Sequence, residues 1–296
     1  MSDLHDVEHR IASMGELREV VGAMRALAGM RRQEAEQALP GIRRYAQAMA
    51  AALRSAEQLP AAGSASDARS LRQAQRGARA LILCTAEHGF VGGFNERLLE
   101  AAVGALRAGD VLYVLGTRGA ALAAERGRSA DWSQPMATRL AAIPPLIQRV
   151  TERLFADLGA GRVMKVEVLV ANPRTPAQVQ CRRLLPLDSS DESATLLVAP
   201  LHNLPPQSLL EGLVEEYVFA LLTEVAVESL AAENAARLSA MEAARDNVSR
   251  QLAQLRASAH QLRQGEITAE LLDLVTGEQA QRGVQHRARD AGYALE

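Results

Sequence analysis

The chain has 296 residues, a formal net charge of −2, 48% hydrophobic residues and only 3% aromatic ones. The balanced charge argues against a general nucleic-acid-binding surface, and no apolar stretch reaches the roughly 18 residues that a membrane-spanning helix requires. Because the N-terminus lacks the basic and apolar regions of a signal peptide, we expect a protein of a reducing compartment, with Cys84 and Cys181 as buried thiols and no disulfide.

The first segment, residues 1–59, is predicted to be a helix. Ser2 or Asp3 is the expected N-cap. Pro40-Gly41 is expected to kink or break the helix, and the composition of residues 60–67 predicts a linker. Apolar residues recur every three or four positions, as on one face of an amphipathic helix: Leu4, Val7, Ile11, Met14, Leu17, Val21, Met24 and Leu27.

The middle of the chain, residues 77–200, changes period and alternates strands with helices. Strands are predicted at 80–86, 111–116 and 164–171, with possible edge strands at 179–187 and 195–198, and helices at 96–108, after 118 and at 143–158. Such alternation predicts the α/β class, with a doubly wound, mostly parallel sheet.

The C-terminal segment, residues 206–280, is predicted to be one very long helix, followed by a tail at 281–296. Gly265 is the one candidate for a break before Gly277. A seam with the coiled-coil period of 3.5 runs through it: Leu238, Met241, Arg245, Val248, Leu252, Leu255, Ala259 and Leu262. About 70 residues would span on the order of 100 Å, which exceeds the size of a globular core. We therefore expect the two terminal helices to form an antiparallel coiled coil into which the α/β domain is inserted.

The glycine cluster from Glu87 to Asn95, directly after the first predicted strand, is the first place to look for a ligand site. Glycine turns between a strand and a helix bind phosphate through free backbone N–H groups. The spacing here matches neither nucleotide-binding motif, and the second strand ends in Gly116-Thr117 where a ribose would require an acidic residue. A tight turn with Asn95 as helix cap is the favoured interpretation.

Other candidate sites are weaker. His5 and His9 have the spacing of a metal clamp but no third ligand nearby, and residues 188–193 fit an exposed loop. The spacing of the residues matches no Ser/His/Asp, Cys/His or paired-carboxylate pattern. We therefore expect no catalytic residue, metal site or cofactor. Two alternatives stay open: an α/β nucleotide- or dinucleotide-binding enzyme with helical dimerisation arms, and a coiled-coil scaffold.

Three blocks of sequence, in order over nearly the whole chain, carry a family resemblance. The first is Ile11-x-Ser13 with Ala23-Met24 and Ala28, and the second is Gly89-x-x-Gly92-Gly93-x-Asn95. The third is Ala235-Ala-Arg237-x-x-Ala240-Met241-x-Ala243-Ala244-x-Asp246-Asn247, followed by Ile267-Thr268-x-Glu270-Leu271-x-x-Leu274-Val275-x-Gly277. Together they resemble the γ subunit of F-type ATP synthases.

The resemblance implies a central rotor shaft. The coiled coil would lie inside a ring of three α and three β subunits, and the α/β domain would be a foot on the c-ring beside the ε subunit. ATP chemistry would belong to the β subunits, so this chain would be non-catalytic, with no cofactor and no homo-oligomer. It would be peripheral to the cytoplasmic face of the plasma (inner) membrane.

The resemblance also assigns expected roles by position. Met24 and Arg25 would face loops of the β subunits, and Gly89, Gly92, Gly93 and Asn95 would form the turn of the foot domain. The positions that the family uses against the ring or in coupling are Arg237, Gln264, Thr268, Glu270 and Asp273. Departures from the family pattern suggest a divergent branch, such as an alternative, second F-type ATPase: Arg25 in place of an acidic residue, His88 in place of an arginine, an apolar stretch at 195–200, and the tail at 281–296.

Overall fold

The computed structural model describes residues 2–57, 59, 78–186 and 201–292. It divides into two compact units that we describe separately: a terminal unit, Met1–Ala23 with Glu242–Glu296, and a central unit, Met24–Met241. The predicted linker at 60–67, the loop at 188–193 and the strand at 195–198 lie outside the described residues, as do the side chains of the predicted tail.

The elements are α1 (Ser2–Glu57), β1 (Arg79–Cys84), α2 (Phe94–Ala105), β2 (Val111–Leu115), α3 (Thr117–Glu125), β3 (Trp132–Gln134), a 3-10 turn (Leu140–Ala142), α4 (Ile143–Gly159), β4 (Lys165–Ala171), β5 (Val179–Leu185) and α5 (Pro206–Gly292). The three main predicted strands are confirmed as β1, β2 and β4, and the first possible edge strand is β5. The sequence reading missed β3, which has only three residues.

The sheet has the strand order β3-β2-β1-β4-β5, with all neighbours parallel except the antiparallel pair β4 and β5. From the central strand β1 the chain moves outward to β2 and β3, and then returns to β4 on the other side of β1. This is a doubly wound sheet, which confirms the predicted fold class. All six residues of β1 are buried, as expected for a strand covered on both faces.

Helices cover both faces of this sheet. On one face Phe94 and Leu98 of α2 pack with Leu81 and Val114. The core of the other face joins the alternate strand residues to α4, to α1 and to α5, with buried members that include Ile82, Val168, Ile147, Leu39 and Val225. The α/β domain is thus built directly against the two long helices of the central unit.

In each unit α1 and α5 run antiparallel to each other. In the central unit Arg43 pairs with Glu228, whereas Leu53, further along α1, packs with Leu210, further back on α5. In the terminal unit the carboxylate of Glu8 lies 2.6 Å from the guanidinium of Arg263. Further along α1, Met14 lines a cleft with Leu255. The predicted antiparallel pairing is confirmed.

The buried stripe on α1 differs from the prediction. Val21, Ala28 and Ala35 are buried at intervals of seven residues, as a coiled-coil seam requires. Leu17 and Leu27, which the prediction placed on the stripe, are 45% and 42% exposed because they lie off this seam.

On α5 every residue of the predicted seam is buried or half-buried except Arg245. Val248 and Leu252 are buried, whereas Arg245 is exposed and its neighbour Ala244 is half-buried. A guanidinium without a buried partner costs too much to desolvate, so the small alanine turns inward instead.

Pro40 and the glycines of α5 do not end their helices. α1 runs through Pro40, with Leu39 and Ala46 buried on either side, because tertiary packing outweighs one missing backbone hydrogen bond. α5 continues through Gly265 and Gly277 to Gly292, so it includes most of the predicted tail. Glycine costs a helix only about 1 kcal/mol relative to alanine, and no proline follows Pro206 to stop it.

The prediction of two buried thiols is half wrong. Cys84, on the central strand, is buried, but Cys181 is exposed, and both are free. Cys181 lies on β5, at the edge of the sheet, where alternate side chains face solvent.

Candidate functional site

The turn after β1 reverses the chain through two residues with left-handed backbone conformation. Phe90 has φ of 62° and Gly92 has φ of 56°. Phe90 is the one non-glycine residue with positive φ in the described part of the chain, and its side chain is 68% exposed. A bulky residue is strained there, so the turn presents an aromatic ring to solvent at a cost in free energy.

Asn95 closes this turn and does not cap the helix. Its Oδ1 accepts a hydrogen bond from the backbone N–H of Ala86 at 2.9 Å, and its side chain is buried. The N-cap of α2 is Gly93, without a side-chain cap. The expected capping role of Asn95 is therefore wrong, because its amide is used to hold the end of β1.

Arg237, on α5, holds the same turn from the other side. Its guanidinium lies 2.7 Å from the carboxylate of Glu233 and donates to Oδ1 of Asn234 at 3.3 Å. It also donates long hydrogen bonds to the carbonyl oxygens of His88, at 3.4 Å, and Gly89, at 3.5 Å. The structure thus brings together the glycine turn and Arg237, which the sequence reading had placed in separate groups.

Glu233 is almost fully buried, and two opposing effects act on the pKa of its carboxyl. Burial raises the pKa of its carboxyl above the ordinary value, and the charge and hydrogen bond of Arg237 oppose that shift. Such a pair is costly to break, because the remaining partner would be a buried and unpaired charge. Arg237 and Glu233 therefore fix the turn to α5.

Glu87 occupies the N-terminus of α3. Its carboxylate accepts hydrogen bonds from the backbone N–H groups of Thr117 at 3.0 Å and Met136 at 2.8 Å, and from the Thr117 hydroxyl. Burial by itself would raise the pKa of Glu87, but these hydrogen bonds outweigh it and hold the pKa below its ordinary value. The free N–H groups of a helix N-terminus attract anions, and at α3 the chain's own carboxylate supplies the anion.

The crevice beside β1 is also covered. Nucleotides bind in doubly wound folds outside the carboxyl ends of the strands, where the winding direction changes. Here that point lies between β1 and β4. The hydroxyl of Ser229, on α5, donates to the carbonyl oxygen of Cys84 at the end of β1, at 3.1 Å, and both groups are buried. The long helix therefore lies where a cofactor would sit.

The remaining predicted site residues lie elsewhere. Met24 and Arg25 are half-buried on α1 in the central unit. Gln264, Thr268 and Glu270 are exposed on α5 in the terminal unit, and Thr268 bonds only to the backbone of Gln264 among the hydrogen bonds seen there. The side chain of Asp273 is outside the described residues.

Two features escaped the sequence reading. Five large apolar side chains near the end of α5 are between 51% and 71% exposed: Ile267, Leu271, Leu272, Leu274 and Val275. In the sequence, the only signal for this surface is that these residues are apolar although they lie beside an exposed helix face. The second feature is an ion-pair cluster of Arg43, Arg182, Glu224 and Glu228. Its members are too far apart in the chain to give a local signal.

Comparison with known proteins identifies the family. A family model described as ATP synthase matches residues 3–280. The chain belongs to the ATP synthase gamma-chain family. It is 24% identical over 297 residues to the ATP synthase gamma chain of Allorhizobium ampelinum, covering 95% of this chain and all of that one. It is 27% identical over 302 residues to the gamma chain of Phenylobacterium zucineum, again with 95% and 100% coverage.

Solved structures of ATP synthases share the fold. A chain of the mitochondrial ATP synthase of Euglena gracilis, in an assembly described as OSCP, F1 and c-ring, superposes with a TM-score of 0.68 at 11% identity and covers 96% of both chains. A chain of the Tetrahymena thermophila central stalk and c-ring superposes with a TM-score of 0.52 at 16% identity, covering 76% of this chain and 99% of that one.

None of the chain's described helices has the length and apolar character needed to cross a membrane. Within the same residues, no three His, Cys, Asp or Glu side chains come together in a group that could hold a metal ion.

Proposed function

We propose that this chain is the central rotor shaft of an F-type ATP synthase or ATPase, coupling ion flow through a c-ring to ATP synthesis or hydrolysis at the β subunits. The observation that carries the proposal is the match to ATP synthase gamma chains over their whole length. The antiparallel helix pair and the inserted α/β domain supply the parts that such a shaft needs.

The exposed apolar end of α5 supports a partner around the terminal unit. Large exposed apolar patches on soluble proteins mark interaction sites, and Ile267, Leu271 and Val275 follow one another at the spacing of one helix face. In the proposed complex the ring of three α and three β subunits surrounds this end. Gln264, Thr268, Glu270 and Asp273 lie on the same stretch of helix and are proposed to contact the ring.

In the proposed complex the β subunits hold the catalytic sites, and this chain changes their nucleotide affinities by presenting a different side to each. A shift of one catalytic site from 1% to 99% population of one of its two conformational states requires about 5.5 kcal/mol. The contacts of this chain would have to favour that state by this free energy. Met24, Arg25 and Arg237 are the proposed contributors in the central unit.

The foot domain is proposed to contact the c-ring and the ε subunit, which would place the chain at the cytoplasmic face of the plasma membrane as a peripheral subunit. The identities of 24% and 27% to these gamma chains, the reversed charge at Arg25 and the long α5 support a divergent branch, such as a second F-type ATPase in the same organism.

The dinucleotide-enzyme alternative is disfavoured by Ser229, because its contact with Cys84 places α5 over the crevice where a cofactor would bind. The scaffold alternative is disfavoured by the pairing of α1 with α5 of the same chain, which uses the coiled-coil seam internally.

Co-expression with the α and β subunits of the same organism tests the proposal. We expect a complex of three α, three β and one copy of this chain, with ATP-driven ion pumping once the membrane sector is added. Truncation after Arg237 removes the apolar end of α5 and should abolish pumping, whereas the matched truncation after Thr276 keeps that end and should preserve it. A chain that ignores α and β but binds ATP or NAD would overturn the proposal.

A further inference from the structure

Glu228, on α5, is a buried carboxylate that bridges guanidinium groups from two other elements. Nη2 of Arg43, on α1, lies 2.6 Å from its Oε1, and Nη2 of Arg182, on β5, lies 2.8 Å from its Oε2. The Glu228 side chain is only 5% exposed. Nε of Arg43 also lies 3.0 Å from the carboxylate of Glu224, one turn before Glu228 on α5. Three elements of the central unit therefore meet at one carboxylate.

We propose that this junction of Arg43, Glu228 and Arg182 fixes the angular position of the α/β domain about the helix pair, and so transmits torque between them. The inference rests on the rotor function proposed above. It assigns the three residues a positioning role, because they touch no nucleotide and no reacting atom.

The apolar core and the ion pairs resist displacement of the α/β domain in different ways. Residues such as Val225 and Leu222 pack against the sheet and resist separation of the helices from it, but hydrophobic burial has no preferred direction. A close-packed core resists sliding through interdigitated side chains, but it does not fix the direction of individual polar groups. A guanidinium–carboxylate pair has fixed hydrogen-bond directions and short distances. Rotation of the α/β domain about the helix pair would therefore lengthen these hydrogen bonds even when the rotation is small.

The position of the junction suits this role. Ser229 bonds to Cys84 and Arg237 bonds to the glycine turn, but both contacts tie α5 alone to the domain. At Glu228 the edge strand β5 is tied to α5 and, through the same carboxylate, to α1. Burial of Glu228 reduces the screening of both pairs by salt, although the side chains of Arg43 and Arg182 are 50% and 35% exposed.

The principal test is Arg182→Gln, since Arg182 is about one-third exposed and its loss should leave the chain folded. Arg182→Lys keeps the positive charge but loses the planar guanidinium with its several N–H donors. Glu228→Gln weakens the contacts with both Arg43 and Arg182. The matched control is Tyr45→Phe, which removes the hydrogen bond from Tyr45 to Glu216 between α1 and α5 but does not touch β5.

Each variant is assembled with α and β subunits, the α and β subunits are fixed to a surface, and the rotation of the complex is stopped. A bead is attached to a cysteine introduced at the exposed Val103 of the α/β domain, with Cys181 replaced by serine. We expect Arg182→Gln and Glu228→Gln to broaden the angular distribution of the bead, Arg182→Lys to broaden it less, and Tyr45→Phe to leave it unchanged. ATP hydrolysis by the complex should stay at the wild-type rate in all four.

An unchanged angular width in Arg182→Gln and Glu228→Gln, or an equal broadening in Tyr45→Phe, would overturn the junction while leaving the rotor function standing. If the wild-type chain forms no complex with α and β, or forms one that does not rotate, the rotor function itself fails.

Discussion

Arg237 and Glu233 form an ion pair of 2.7 Å on α5 in which the two side chains are only 8% and 3% exposed. The same guanidinium reaches the carbonyl oxygens of the turn after β1. One arginine therefore satisfies a buried carboxylate and positions the loop of the α/β domain against the long helix.

Arg237→Ala should destabilise the chain by about 3–5 kcal/mol, because Glu233 would remain buried without its partner. Urea unfolding followed by circular dichroism measures the change. The control is Arg250→Ala, an exposed position on the same helix, which should cost less than about 0.5 kcal/mol. Replacing both Arg237 and Glu233 by alanine should cost less than Arg237→Ala alone; a larger loss in the double variant would contradict the account.

Glu87 should contribute a pH dependence to stability. Its pKa is lowered in the folded chain from an ordinary value of 4.5, so the folded state binds fewer protons than the unfolded state near that pH. Its contribution is full above the unfolded-state pKa and is lost as pH falls through the folded-state pKa. Glu87→Gln should therefore be less stable than wild type at neutral pH, and the gap should close in acid. Unfolding free energies at a series of pH values check this, and a gap that widens in acid would refute it.

The two cysteines should differ sharply in reactivity. Burial raises the pKa of the Cys84 thiol to about 12. Cys181 is exposed and accessible to reagents, although partial burial and its hydrogen bond to Glu167 raise its pKa as well. Because the thiolate is the reactive form, a thiol reagent should modify one cysteine per native chain and both after unfolding. Cys181→Ser should remove the native reaction. Rapid labelling of Cys84 in that variant under native conditions would show that β1 is not buried as described.

Gly119→Ala should be strongly destabilising. A Cβ at Gly119 would overlap the side chain of the buried Thr85, where α3 packs on the end of β1. Overpacking of this kind costs about 1–3 kcal/mol. The matched control is Gly104→Ala, in the last turn of α2, where a Cβ meets nothing within 4 Å. That control should be neutral or stabilising by up to about 1 kcal/mol, and thermal melting of both variants decides the matter.

The sequence predicts the elements whose signals are local. The heptad seam of α5, the fully buried β1 and the alternation of strands and helices follow from periodicity alone, and they fixed the fold class correctly. β3 could not be found in this way, because its three residues are held by pairing with β2 and by the contact of Trp132 with Tyr113, whose ring centroids lie 5.4 Å apart.

The candidate site was predicted only in its parts. The resemblance pointed to Arg237 and to the glycine turn, but nothing in the spacing shows that residues about 150 positions apart are in contact. Asn95 has two possible local uses, as a helix cap or as a turn closer, and only the position of the Ala86 N–H decides between them. Cys181 was misplaced although residues 179–187 were predicted as a possible edge strand, because an apolar surrounding sequence does not show which alternate side chains of such a strand face solvent.

Glu87 has one more consequence. A phosphate bound at a helix N-terminus comes and goes with the concentration of its metabolite, but a carboxylate that belongs to the chain is always present and stays charged above its lowered pKa. The N-terminus of α3 therefore receives its anion from within the α/β domain. A soluble anion could bind at this helix end only by displacing the Glu87 carboxylate.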